Sequence, residues 1–317
     1  MLSASRHIGL LLTVAIVSVG TSTMAWAQTP ATQPAAAQPA ARPGGITIEL
    51  IEAGKADKVP LKLDIAGRKL PSMETVARQT IQIGGPDDGQ KITQEVTTTM
   101  LMEAGAADEN GVYPLTMTFD GMSMKMSMPG MEVDTADPDN ADNPITKMMK
   151  AIGGIKTTVM VDADGNIVAV RGLRESLRAA LEKSGLEDGE KAQAQMMLGQ
   201  MLTDENMKQN AAQFLLGFPA EPVGLNGSWR VSNSINMPGM GRMNSKTTYT
   251  VTEITDATIT LKAESEMTGM ANGTQKGTIV LDRKTGLARS NEQTQTLTVK
   301  AMGQEMKIEG TTIVHQK

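Results

Sequence analysis

Methionine is the residue type with the most chemistry to offer in this chain. Its 317 residues include 25 methionines against two Trp, two Tyr and three Phe. In Met122-Ser123-Met124-Lys125-Met126-Ser127-Met128, strand geometry puts four thioethers on one face and the serines and lysine on the other. Thioether sulfur is soft and neutral, so Met122, Met124 and Met126 are candidate ligands for copper as Cu(I). The same run, Met122, Met124, Met126 and Met128, could equally line an adaptable groove for an apolar ligand, or fill a core that has few aromatics to fill it. Met237, Met240 and Met243 make a second cluster, and Met267 and Met270 a third.

Other reactive groups are scarce. Cysteine is absent, which removes disulfides, thiol nucleophiles and thiolate metal sites. The two histidines, His7 and His315, lie near opposite ends of the chain, and His7 falls in a segment expected to be removed. Neither a Ser-His-Asp triad nor a multi-histidine metal site is expected. Glu132, Asp134, Asp137, Asp139 and Asp142 form an acidic stretch, but a calcium loop counted from Asp137 would put Asp142 where glycine belongs and Met148 where glutamate belongs. A solvated loop is the expectation there, and Asp162 to Asn166 reads as a hairpin turn. No carboxylate pair stands out. The chain is therefore expected to be no enzyme, with copper the one cofactor under consideration. Its acidic balance, 35 Asp and Glu against 30 Lys and Arg, speaks against a nucleic-acid partner.

The elements that must position these residues are mostly strands. From Ile46 onward the dominant period is two: Ala257, Ile259, Leu261, Ala263 and Met267 share a face, as do Tyr113, Leu115, Met117 and Phe119, then Leu297, Val299 and Ala301, then Met306 and Ile308. Threonine fills the opposite faces. Turn residues separate the runs at Gly84 to Gly89, Asp162 to Asn166 and Lys284 to Gly286. Helix is expected at about 173–217, from Leu173, Leu177, Ala180 and Leu181 at helical spacing, with Gly185 as a C-terminal cap. The expected fold is mainly β (α+β): curved antiparallel sheets in two related β-halves, six strands over 46–128 and six over 228–315, with a central helical segment on the concave face.

Arg6 and His7, the apolar run Ile8 to Val19 and Ala25-Trp26-Ala27 read as a signal peptide over residues 1–27. The run is shorter than the ~20 residues of a membrane-spanning helix, and no later stretch supplies one. Residues 28–45 hold only Ala, Pro, Gln, Thr, Gly and one Arg, and read as a disordered spacer before a β-rich domain at 46–317. The protein is expected to be periplasmic or secreted, with no integral membrane segment after cleavage and an envelope ligand or protein as its partner.

The segment Gly217-Phe218-Pro219 through Pro222-Val223 to Gly227-Ser228-Trp229 resembles a stretch of an uncharacterised family of secreted bacterial β-rich proteins. Met160 to Val168, Thr248 to Val251 and Ile279 to Gly286 are similar to the rest of that layout. These motifs are structural: Pro219 and Pro222 end the helix, Gly227 permits a turn, and Trp229 anchors a sheet. At the level of a curved sheet plus helix, with Val280-Leu281-Asp282 and Thr285-Gly286, the chain is also similar to the half-barrel of periplasmic lipoprotein carriers. That similarity implies an acyl-binding concave face, while the Met-rich strands and missing aromatic lining depart from it.

Overall fold

Alternation of apolar side chains with Thr, Lys and Glu leaves each strand one face to bury, and antiparallel pairing satisfies the backbone between them. The computed structural model describes residues 41–42, 46–55, 57–84, 89–162, 165, 167–192, 195, 217–237, 241–301 and 304–317. Its strands are β1 (Ala41–Arg42), β2 (Ile46–Glu52), β3 (Met73–Ile83), β4 (Gln90–Ala104), β5 (Tyr113–Met128), β6 (Met131–Asp134), β7 (Lys156–Val161) and β8 (Ile167–Arg171), then β9 (Ser228–Met237), β10 (Gly241–Ile254), β11 (Thr258–Gly269), β12 (Ala271–Asp282), β13 (Ala288–Ala301) and β14 (Gln304–Gln316). Helices α1 (Pro144–Ile152) and α2 (Leu173–Lys183) stand between strands.

All fourteen strands belong to one sheet, in the order β1-β2-β9-β10-β11-β12-β13-β14-β3-β4-β5-β7-β8, with β6 on β5. The β9–β14 meander is inserted between β2 and β3. The connection from β2 to β3 therefore passes beneath six strands, pairing Val59 with Val223 and Lys69 with Glu103 on the way. Its Val59, Leu61, Ile65 and Leu70 are buried and close one end of the core. A twisted sheet of more than about ten strands curls, and its inner face packs α1 and α2 through Ile145, Met148, Met149, Leu173, Leu177 and Leu181.

Mainly β architecture with helix on the inner face is what the sequence predicts. Six strands do follow Ser228, but 46–128 holds four long strands among the described residues, and both blocks share one sheet. Near the end of the expected spacer, β1 pairs Ala41 and Arg42 with Thr47 and Ile46. Within 173–217 the structure describes α2 and helical residues 188–192, with Gly185 left-handed (φ 71) after α2. Residues 1–40, where the leader is expected, and most of 193–216 lie outside the described residues.

The acidic stretch does local structural work. Asp134 Oδ1 accepts from Ala136 N, Asp137 Oδ1 from Asp139 N, and Asn143 Oδ1 from Ile145 N. Asn143 is thereby the N-cap of α1, followed by Pro144 in its first turn. This helix was not expected.

Candidate functional site

Strand register sorts the inner face into rows. Thr247, Ser265, Gln275, Gln295, Gly310, Gln79, Gln94, Met126 and Val133 are successive partners from β10 through β14 to β3, β4, β5 and β6. The next row towards the β11–β12 hairpin runs Met267, Gly273, Leu297, Ile308, Ile81 and Ile92. The first row is polar from Thr247 to Gln94 apart from Gly310 and ends on Met126 and Val133, the second is apolar, and the side chains are buried in both.

Hydrogen bonds run within the polar row and to its neighbour Gln293. Gln94 donates to Gln79 at 3.4 Å, Gln275 donates to Gln293, and the hydroxyls of Thr247 and Ser265 are 2.8 Å apart. A cavity of about 10 Å³ lies among Thr247, Tyr249, Ser265, Gln275 and Gln293, room for about one water. Every buried polar side chain among the described residues is an amide or a hydroxyl. Asn291 Oδ1 and Thr98 Oγ1, also facing inward, have no hydrogen-bond partner.

Met124 and Met126 are each 2% exposed and pack with Ile81, Ile92, Val96 and the helices. Met122 and Met128 are half-buried at the border of that cluster. All four share the inner face as the alternation predicts, although extended geometry spaces neighbours of such a series about 6.6–6.8 Å apart, too far for three sulfurs to meet one ion without bending their chains inward. Met243 and Met267 are buried and Met270 is half-buried; Met240 lies outside the described residues. No methionine whose burial is described is exposed.

The outer face carries the charge. Glu49, Arg230, Thr248, Glu264, Lys276, Thr294, Thr311, Arg78, Glu95, Lys125 and Asp134 are successive partners across it. Opposite charges meet at Arg230–Glu49 (3.3 Å), Arg78–Glu95 (2.6 Å) and Lys125–Asp134 (2.9 Å), which favours this register over its neighbours. The hydrogen bond to Asp134 raises the Lys125 pKa, and the same bond, with that from Ala136 N, lowers that of Asp134. An open trough of about 880 Å³ runs over this face, lined by Arg78, Thr80, Thr93, Glu95, Lys125 and Glu309 among others.

The remaining shifted groups are structural in setting. Burial, then the carboxylates of Asp162 and Asp64, pushes Tyr113 up to about 12, and burial raises Tyr249. Burial opposes ionisation of Asp282, but hydrogen bonds from Arg289 and Thr285 outweigh it and bring the carboxyl down to about 2. Among the described residues no three His, Cys, Asp or Glu side chains are grouped to hold a metal, and no helix is long and apolar enough to cross a membrane.

Sequence reasoning missed the polar row. Gln79, Gln94, Gln275 and Gln295 sit within alternating runs, where each looks like a solvent-facing polar residue until register shows that it shares the face of Ile81, Ile92, Gly273 or Leu297. A parity count along each strand would have found them.

The model of a family described as being of unknown function, DUF6263, matches residues 110–288. No curated protein matches the sequence. A solved structure describing lipid–protein interactions in lipovitellin is 8% identical, with a TM-score of 0.43, and the match covers 79% of this chain but only 25% of that one. The translocator domain of the autotransporter NalP from Neisseria meningitidis is 7% identical at a TM-score of 0.30, over 80% of this chain and 91% of that one.

Proposed function

The chain belongs to the DUF6263 family, whose function is unknown, and on that premise we propose that it is a non-enzymatic protein of the cell envelope or beyond that binds an uncharged amphiphile against the inner face of its sheet. The observation that carries this reading is the buried row Thr247, Ser265, Gln275, Gln295, Gln79 and Gln94 lying beside the apolar row from Met267 to Ile92. Replacing buried, mutually bonded polar groups by apolar ones of the same shape is close to neutral or stabilising, so stability alone does not call for amides and hydroxyls here. A hydroxyl, ester or amide head group can exchange hydrogen bonds with amides and hydroxyls, while an alkyl chain lies along Met267, Leu297, Ile308 and Ile81. An ionised head would meet no opposite charge among these residues and is selected against. The extracytoplasmic setting rests on Arg6, the run Ile8 to Val19 and Ala25-Trp26-Ala27.

A second reading, a protein partner, is favoured by the trough, whose hydroxyls at Thr80 and Thr93 lie one register row along from the paired charges of Arg78–Glu95 and Lys125–Asp134. Native mass spectrometry of the exported full chain, purified without detergent, separates the alternatives. Heterogeneous adducts of lipid mass are expected. Copper masses that disappear in Met124→Leu and Met126→Leu variants would replace the ligand reading with a metal one. A bare protein mass would contradict both, and a photo-crosslinker at Thr80 would then test for a protein in the trough.

A further inference from the structure

We propose that Met128 and Met131 form a two-thioether site that takes oxygen from peroxide ahead of the core methionines. The turn between them builds the site. Pro129 followed by Gly130 at φ 80 is the pattern of a type II turn. It closes the β5–β6 hairpin with Met128 and Met131 as direct register partners. Such partners hold their Cβ atoms about 4.5–5.5 Å apart on one face, so the two sulfurs stand side by side at the hairpin tip.

Burial then grades reactivity along one strand. Met128 and Met131 are half-buried, whereas Met126 and Met124, further back on the same face, are each 2% exposed. A sulfur lone pair must reach a peroxide oxygen directly. As the S–O bond forms the O–O bond breaks, and the departing hydroxide leaves as water with the proton of the transferred hydroxyl. Sulfur is oxidised by two electrons to the sulfoxide, and hydrogen peroxide is reduced to water. A sulfoxide at the tip can turn towards solvent. One at Met124 or Met126 would place a polar group among Ile81, Ile92 and Val96. The tip therefore consumes oxidant at a position where the product is tolerated and spares positions where it is not.

Hydrogen peroxide added to the full chain, followed by peptide mapping, tests this. Met128 and Met131 should reach half-oxidation about tenfold sooner than Met124 and Met126, with the circular dichroism spectrum and Tm unchanged until the tip pair is converted. Equal rates at the four positions, or unfolding with the first oxygen, would overturn the proposal. A Met128→Leu, Met131→Leu double variant given two equivalents of peroxide should show about twofold more oxidation at Met126. No increase there would remove the protective role, and if this variant does not fold the order of oxidation in the unaltered chain decides.

Discussion

The two ends of the inner face are built from the same alternation but from different side chains. At one end Trp229 is fully buried, stacks on Tyr249 with ring centroids 5.3 Å apart, and donates from Nε1 to the Gly217 carbonyl at 2.9 Å. Branched residues Val251, Ile259, Leu261, Ile279 and Leu281 surround it, and Val59, Phe218 and Val223 close over it. At the other end Met124, Met126, Met148, Met149 and Met267 do the filling, with half-buried Met122, Met128 and Met131 at the margin. An indole fixed by a stack and a hydrogen bond has one arrangement. Unbranched thioethers have several of similar energy. The difference teaches where this sheet is fixed and where it can adapt, with the amide row between the two.

Substitutions should bring out that contrast. Trp229→Ala is expected to cost the most, about 3–5 kcal/mol in a denaturant titration; a loss under about 1 kcal/mol would mean that this end is no more fixed than the other. Met126→Ala, which empties volume where the polar row meets the methionine cluster, is expected to cost about 2–4 kcal/mol. Met126→Leu, keeping the volume, should stay below about 1.5 kcal/mol. A leucine variant as damaging as the alanine one would show that the sulfur end is packed as specifically as the indole end.

Smaller effects test the supports of each end. Asn143→Ala removes the cap that starts α1 over the methionine cluster and should lower stability by about 1 kcal/mol. Asp282, held by Arg289 and Thr285 at the turn after β12, has its folded pKa brought down to about 2. A depressed carboxyl contributes stability that is complete above its unfolded value, about 3.9, and is lost as pH falls from there towards 2. For a turn partly open to water this contribution should stay under about 1 kcal/mol. Asp282→Asn should therefore narrow the difference in Tm between pH 6 and pH 2.5, and an unchanged difference would assign that acid sensitivity to other carboxylates.

Much of the fold is legible because strand parity survives translation into burial: Ile259, Leu261, Ala263 and Met267 share one buried face, as their spacing predicts. The placement of β9–β14 between β2 and β3 is not, because nothing in a local pattern states which distant strand completes a backbone edge. Helix α1 was legible and overlooked. Asn143-Pro144 is a start signal, and Ile145, Met148, Met149 and Ile152 follow at helical spacing, but the acidic run before it reads as loop. The thioethers of Met122 to Met128 were found on one face as expected. The amides beside them were overlooked, since a glutamine among threonines reads as solvent-facing until it is counted in parity with Ile81, Ile92 or Leu297.

The central claim, an uncharged amphiphile held between the amide row and the methionine end, is tested most directly by NMR of ¹³C-methyl-labelled methionines during titration with a monoacylglycerol. The account predicts that the methyls of Met126, Met128 and Met267 shift together while those of Met100 and Met160, away from that row, stay in place, and that a fatty acid ionised at pH 8 leaves the spectrum unchanged. Methyl signals that do not move in the folded protein, or that respond equally to both ligands, would contradict it.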